Sequence, residues 1–148
     1  MLRWLLAATH LLALGIGLGA VWVRARALQR PLDTAAAYRP VFASDAAWGL
    51  AAALWIGTGL WRLFGGLEKG TGYYLQNHVF WAKMGLLLLV LILEVGPIVT
   101  IGRWRREVAR GQLPNPSKAP RMARISFLQA GLIVLMVLAA TAMARGFS

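Results

Sequence analysis

Four long apolar segments dominate this sequence and limit what it can fold into. They cover residues 2–23, 46–64, 74–102 and 125–144. A transmembrane helix needs about 20 consecutive, mostly apolar residues, and each segment is close to that length or longer. The chain of 148 residues is 59% hydrophobic with a mean hydropathy of +0.61, which is outside the usual range of soluble domains. We predict an all-α polytopic membrane protein that forms a single domain, a bundle of four transmembrane helices.

The absence of cysteine narrows the chemistry that such a bundle can perform. Without thiols the chain forms no disulfide, thiolate metal site, Fe–S cluster or thioredoxin-type redox centre. The four segments also leave no room for a soluble catalytic module. Any function must therefore come from histidine, carboxylate, lysine and aromatic side chains, or from a bound cofactor.

Basic residues are distributed unequally between the two ends of the predicted bundle. The net charge is +11, and eleven of the 16 Lys and Arg residues lie in loops 24–45 and 103–125. The positive-inside rule therefore places these two loops in the cytoplasm, with both termini and the loop 65–72 outside. This pattern predicts a bacterial inner (plasma) membrane protein whose basic loops contact anionic lipids, rather than a nucleic-acid-binding protein. Because arginines follow the first segment, we expect a retained helix and not a cleaved secretory signal.

Short-range signals predict helix ends and helix packing. Ser44 and Asp45 are expected to cap the start of the second helix. Small residues at helical spacing predict close contacts between helices. On the first helix they are Gly15 and Gly19, and on the second they are Ala46, Gly49, Ala53 and Gly57.

Four polar residues lie deep within the apolar segments, namely His10, His78, Lys83 and Glu94. A charge at the bilayer centre costs at least about 2.5–3.5 kcal/mol, so each is a candidate functional residue. Lys83 lies about 13 Å below the start of its helix, which is far for its side chain to reach the membrane interface. Glu94 lies nearer the other end of the helix, where water or Arg103 is expected beside it. Lys83 and Glu94 are separated by about 16 Å along the helix and cannot pair directly. Pro97 is expected to kink the helix just beyond Glu94.

The two histidines match in depth, because the first and third helices run in the same direction. Seven residues deeper on the same face, His10 is followed by Gly17 and His78 by Gly85. Each imidazole therefore has a small-residue strip beside it, as a flat macrocycle requires. We predict that His10 and His78 are candidate metal ligands that hold a b-type haem. Copper or zinc is less favoured, since two histidines without a third ligand make a poor closed site, and plain helix packing also explains the small residues.

Parts of the sequence resemble known membrane protein families. Residues 4–10, which end in His10, resemble the first helix of HemJ-type protoporphyrinogen oxidases and of CopD-like membrane proteins. In HemJ-type proteins a first-helix histidine is associated with haem binding. The sequence from Trp81 to Lys83 resembles the third helix of these proteins, whose lysine is important in that family. The resemblance thus implies a haem role for His10 and a functional role for Lys83. HemJ-type sequences tend to have a histidine before that lysine, and this chain does not.

Nearly the whole chain, including residues 66–70 and 80–83, resembles a family of small predicted bacterial inner-membrane proteins. This resemblance implies no activity.

These observations support three hypotheses about function. The first is a redox protein that binds haem b, with His10, His78, Gly17, Gly85 and Trp81 around the cofactor. In this hypothesis Lys83 holds an anionic group such as a propionate, a substrate or a quinone, and the protein acts as a haem-dependent membrane oxidoreductase. The second is a small proton-linked carrier in which Lys83 and Glu94 titrate. The third is a non-catalytic subunit of a larger membrane complex, and a homo-oligomer also remains open.

Overall fold

The structure is a computed structural model that describes residues 1–65, 72 and 75–146. Four long helices form it: α1 (Leu2–Leu28), α2 (Arg39–Phe64), α3 (His78–Ala109) and α4 (Ala119–Ala144). Short 3₁₀ helices at Ala35–Tyr38 and Pro116–Lys118 precede α2 and α4. All four long helices lie in segments that are long and apolar enough to cross a membrane. The prediction of an all-α fold with four candidate spans is therefore confirmed.

The helices extend beyond the predicted boundaries at one end of the bundle. The first continues for five residues past residue 23, and the second begins at Arg39 instead of residue 46. Likewise, α3 reaches Ala109 and α4 begins at Ala119. Hydropathy marks the part of a helix that suits lipid, whereas backbone hydrogen bonding continues through the flanking arginines, which are good helix formers. The predicted helix start at residue 74 and most of the loop 65–72 lie outside the described residues.

Helix α2 begins with a proline in its first turn, not with the predicted caps. Pro40 suits this position because the first amides of a helix have no partner within it. Ser44 and Asp45 lie inside the helix, where the hydroxyl of Ser44 donates to the carbonyls of Pro40 and Val41. The prediction that Ser44 and Asp45 cap this helix is wrong, because the helix had already started one turn earlier.

The bundle consists of two antiparallel helix pairs. The first hairpin is α1 with α2 and the second is α3 with α4, and α1 packs against α4 across the bundle. In contrast, α2 and α3 scarcely touch. We call the end with the Ala35–Tyr38 and Pro116–Lys118 segments the basic end, and the end with Met1 and Ala144 the terminal end. The gap between α2 and α3 is the open side of the bundle.

A compact core closes the basic end. Tyr38 and Trp104 are fully buried there and meet edge to face, with ring centroids 5.3 Å apart. The hydroxyl of Tyr38 donates to the carbonyl of Pro114 at 2.8 Å, and so ties the loop after α3 to the segment before α2. The loops at this end are thus packed into the fold.

The predicted small-residue faces are not the ones that bring α1 and α2 together. A Cβ atom added at Gly15, Gly19, Gly49 or Gly57 would meet nothing within 4 Å. Gly17 makes the close contact instead, since a Cβ there would lie 3.2 Å from the Trp48 ring. The prediction that Gly15, Gly19, Gly49 and Gly57 pack the helices together is wrong. Helical spacing shows that small residues share a face, but not which neighbouring helix that face meets.

Candidate functional site

A cluster of charged side chains lies inside the bundle near the basic end. Its centre is Arg24 of α1, whose side chain is 0% exposed. The guanidinium donates to both carboxylate oxygens of Glu94 on α3, at 2.7 and 2.8 Å. It also donates to Asp45 of α2 at 3.0 Å and to Ser126 and Gln129 of α4 at 3.0 and 2.8 Å. The hydrogen bonds of Arg24, which belongs to α1, therefore reach residues of the other three helices.

The cluster is balanced in charge and in hydrogen bonds. Arg105 completes it by donating to Asp45 at 3.0 Å and to the carbonyl of Phe42 at 2.6 Å. Two arginines thus face two carboxylates, Asp45 and Glu94. The amide of Gln129 donates to Glu94 at 2.8 Å and to a backbone carbonyl. Among the described residues, no buried side-chain polar atom lacks a partner, which is the condition for a stable buried ion pair.

Most bonds of the ion cluster join the two hairpins. Arg24 of the first hairpin bonds to Glu94, Ser126 and Gln129 of the second, and Arg105 of the second bonds back to the first. The hairpins are therefore clamped together near the basic end, while α2 and α3 part elsewhere. This geometry corrects the expectation that Arg103 accompanies Glu94, since Arg103 pairs with Glu107 at 3.7 Å.

The second polar group lies towards the terminal end, around His10. The indole N–H of Trp55 donates to Nε2 of His10 at 3.0 Å, so this nitrogen carries no proton. The proton is on Nδ1, which donates to the hydroxyl of Thr58 at 3.0 Å. That hydroxyl in turn donates to the carbonyl of Leu54 at 2.6 Å. Gly59 leaves room for the ring, because a Cβ there would lie 3.2 Å from Cε1 of His10. His10 is thus a neutral imidazole fixed in one tautomer.

A cavity of about 520 Å³ adjoins this histidine. All four helices line it, including Phe80, Met84 and Leu87 of α3 and Met136 and Ala140 of α4. Most of its wall is apolar. Among the described residues, the charged ones in its lining are two cations, Lys83 of α3 and Arg62 of α2. Because α2 and α3 scarcely touch, the cavity lies beside the open side of the bundle.

The other predicted site residues lie elsewhere. His78 is the first residue of α3 and is exposed. Trp81 is 55% exposed, and its indole N–H donates to the carbonyl of Leu75 at 2.9 Å. Gly85 is also exposed, whereas Gly17 is buried against Trp48. The structure brings together His10 and Lys83 at one cavity, but does not bring His78, Trp81, Gly85 or Gly17 to it.

A haem held between His10 and His78 does not fit these positions. An axial imidazole offers a nitrogen lone pair to iron, and the lone pair of His10 Nε2 accepts the Trp55 hydrogen bond. His78 is not among the residues that line the cavity. In the described part of the chain, no three His, Asp or Glu side chains form a group that could hold a metal ion. Haem b binding stays a prediction that this arrangement does not favour.

Sequence reasoning did not identify six residues as members of these two polar groups. They are Arg24, Asp45, Ser126, Gln129, Trp55 and Thr58. One signal for the ion cluster was present, since every helix carries a polar residue at a similar distance from the basic end. The apolar segment of the first helix stops at Val23, however, so Arg24 was counted with the cytoplasmic loop. No comparable signal connected His10 to Trp55, because their contact depends on how α1 and α2 are rotated.

One of three comparisons with known proteins found a match, and it is to a family of predicted membrane proteins. No curated protein and no solved structure matches the chain. The resemblance to HemJ-type and CopD-like proteins therefore still rests on the few residues quoted above. A family described as a predicted membrane protein, DUF2214, matches residues 2–148. This match covers nearly the whole chain, which belongs to the DUF2214 family of predicted membrane proteins.

Proposed function

We propose that the protein binds an anionic amphiphile, with its apolar part in the cavity and its acidic head near Lys83 and Arg62. The observation that carries this proposal is the combination of an apolar wall with two cationic side chains in one space. Binding sites for small molecules in helix bundles are concave and mostly apolar, with a few polar groups that fix orientation. An acid with a hydrocarbon or ring-shaped body matches both parts of the lining.

Electrostatics favour an anion over a neutral ligand. Lys83 lies in the candidate membrane span His78–Ala109, where water would screen a charge far less than at the surface. Two cationic side chains in one space would attract an ionised carboxylate or phosphate more strongly than a neutral group. His10 adds a neutral, oriented ring to the wall, so it contributes shape without a competing charge.

Access to the cavity is expected from the lipid phase. The open side of the bundle lies between α2 and α3, and both helices contribute residues to the cavity wall. A ligand dissolved in the bilayer could reach Lys83 through this gap without crossing the ion cluster. If the basic end is cytoplasmic, as the charge pattern predicts, the ligand comes from the outer leaflet.

The test compares an acid with an alcohol of the same chain. The protein is purified in lipid nanodiscs and titrated with a fluorescent long-chain fatty acid and with the matching fatty alcohol. We expect the acid to bind about tenfold more tightly, which corresponds to roughly 1.4 kcal/mol. Lys83→Gln should abolish the preference without abolishing binding of the alcohol. Arg3→Gln, an exposed arginine at the same end of the bundle, is the control and should change neither affinity.

Equal affinities for acid and alcohol would remove the proposed role of Lys83. Absence of saturable binding for both probes would show that the cavity holds no amphiphile of this class. The carrier hypothesis is less well supported, because Glu94 is occupied by Arg24 and Gln129 and does not line the cavity. A role as a subunit of a complex stays a prediction.

A further inference from the structure

A second concave site lies at the basic end, away from the cavity around Lys83. It is a crevice of about 620 Å³ between the segment that follows α1 and the beginning of α4. Two arginines line it, Arg30 from the first segment and Arg124 from the second. Pro31, Pro116 and Pro120 belong to the same lining and restrict the backbone of both segments. The two guanidinium groups therefore belong to chain segments that the fold holds next to each other.

The floor of the crevice is apolar. Leu28, Leu32, Ala119 and Ala123 line it and also belong to the buried core of the basic end. Arg30 and Arg124 are exposed above this floor. The crevice is thus cationic at its rim and hydrophobic at its base, which suits a ligand that carries an anionic group on an apolar stem.

Two acidic residues of this end form ion pairs outside the crevice, and a third, Asp33, directly follows the lining residue Leu32 and is exposed. Asp45 pairs with Arg24 and Arg105, and Glu107 pairs with Arg103. No acidic residue is among the described residues that line the crevice. An anion in the crevice would therefore meet two arginines and no carboxylate among these lining residues.

The position of the crevice relative to the candidate spans identifies the class of ligand. One wall follows the span Leu2–Leu28, and the other belongs to the start of the span Pro116–Ala144. The crevice therefore lies where a spanning helix leaves the hydrocarbon and meets lipid headgroups. We propose that it is a binding site for an anionic phospholipid, with the headgroup phosphate between Arg30 and Arg124 and the glycerol end of the acyl chains on the apolar floor.

Arginine is well suited to this task, because its planar fork donates two parallel hydrogen bonds to phosphate oxygens. Two forks from different segments can hold one phosphate from two sides. Arginines that are merely scattered over the same surface cannot do so. This difference separates a defined lipid site from the general attraction of basic loops for anionic membranes, and it does not depend on the function proposed for the cavity.

The experiment measures retained lipid by native mass spectrometry of the purified full chain. The protein is titrated with a phosphatidylglycerol and with a phosphatidylcholine that has the same acyl chains. We expect the unmodified protein to bind one phosphatidylglycerol molecule more tightly than it binds phosphatidylcholine. In Arg30→Gln/Arg124→Gln the affinity for phosphatidylglycerol should fall about thirty-fold, or roughly 2 kcal/mol, because both charge-assisted forks to the phosphate are lost. The control is Arg26→Gln/Arg106→Gln, which removes the same charge from two exposed residues outside the crevice and should leave the affinity nearly unchanged.

A second pair of substitutions keeps the charge that governs insertion. Arg30→Lys/Arg124→Lys retains both positive charges but loses the planar forks, so phosphatidylglycerol affinity should fall while topology is preserved. Equal losses in the crevice and control variants would overturn the proposal, because attraction would then be spread over the whole surface. Inorganic phosphate that binds as tightly as the lipid would also overturn it, since the apolar floor would then contribute nothing.

Discussion

The guanidinium of Arg24 forms two parallel hydrogen bonds with the carboxylate of Glu94, and this pair joins the two hairpins inside the bundle. The N···O distances are 2.7 and 2.8 Å, and both residues are buried. Taking two charges out of water costs several kcal/mol per ion, so such a pair persists only when its remaining hydrogen-bonding groups are satisfied. Asp45, Ser126 and Gln129 provide these bonds.

Removing the Glu94 charge should weaken the whole bundle. In Glu94→Gln the buried Arg24 keeps only one carboxylate, Asp45, which it shares with Arg105. We expect a loss of about 3 kcal/mol in the free energy of unfolding, as for other buried pairs that lose one partner. Unfolding in detergent, followed by circular dichroism against denaturant, measures it. Glu107→Gln is the control, because it removes a more exposed pair with Arg103, and it should cost less than about 1 kcal/mol.

The double variant Arg24→Gln/Glu94→Gln shows whether the two charges act as a pair. Removing both leaves no uncompensated charge at Glu94 or Arg24, so the double variant should be more stable than the sum of the single losses implies. The expected coupling is about 1–3 kcal/mol in a double-mutant cycle. Additive losses would mean that the hairpins are held together by packing and that the clamp interpretation is wrong.

The ion cluster also shows what hydropathy can and cannot predict. The number, order and class of the helices followed from the apolar segments, because length and composition decide whether a helix can span lipid. Glu94 was identified as a residue that needs an explanation in an apolar segment. Its partner was not found, because an arginine at the end of a span has the same hydropathy whether it faces water or pairs inside. The rotation of α1, which turns Arg24 inward, depends on packing against α2 and α4.

The same limit of sequence-based prediction applies to the candidate site around His10. His10 and Lys83 line one cavity. His78 does not line it with them, because depth along parallel helices does not fix the direction of a side chain. His10 faces α2, while His78 is exposed at the beginning of α3. Facing directions are a tertiary property, and a single helix sequence specifies them weakly.

The hydrogen bond from Trp55 should set the tautomer of His10. In the unmodified protein, ¹⁵N NMR of labelled histidine should show Nδ1 protonated and Nε2 unprotonated. Trp55→Phe removes the donor to Nε2, so the tautomer preference should weaken and stability should fall by about 1 kcal/mol. Trp81→Phe is the matched control, because its indole bonds to the carbonyl of Leu75 and not to His10. A protonated Nε2 in the unmodified protein would contradict the assignment.

Gly17 should tolerate substitution less well than Gly15. A Cβ at Gly17 would lie 3.2 Å from the Trp48 ring and 3.5 Å from Ala51, whereas one at Gly15 meets nothing within 4 Å. Gly17→Leu should therefore force α1 and α2 apart, at a cost of about 1–3 kcal/mol. Gly15→Leu should leave the free energy of unfolding nearly unchanged. Chemical denaturation of both variants under the same conditions measures the difference, and equal effects would indicate a different rotation of α1.

A bulky residue in the cavity should block ligand binding without removing either cation. Ala140 of α4 lines the cavity, and its neighbour Ala139 does not. In Ala140→Phe the ring should occupy space beside Lys83, so affinity for the fatty acid and for the matching alcohol should fall together. This outcome differs from that of Lys83→Gln, which should affect the acid alone. Ala139→Phe adds the same ring next to the cavity and should change neither affinity. If both phenylalanine variants weaken binding equally, binding does not depend on space in the cavity, and the cavity is not the site of the amphiphile.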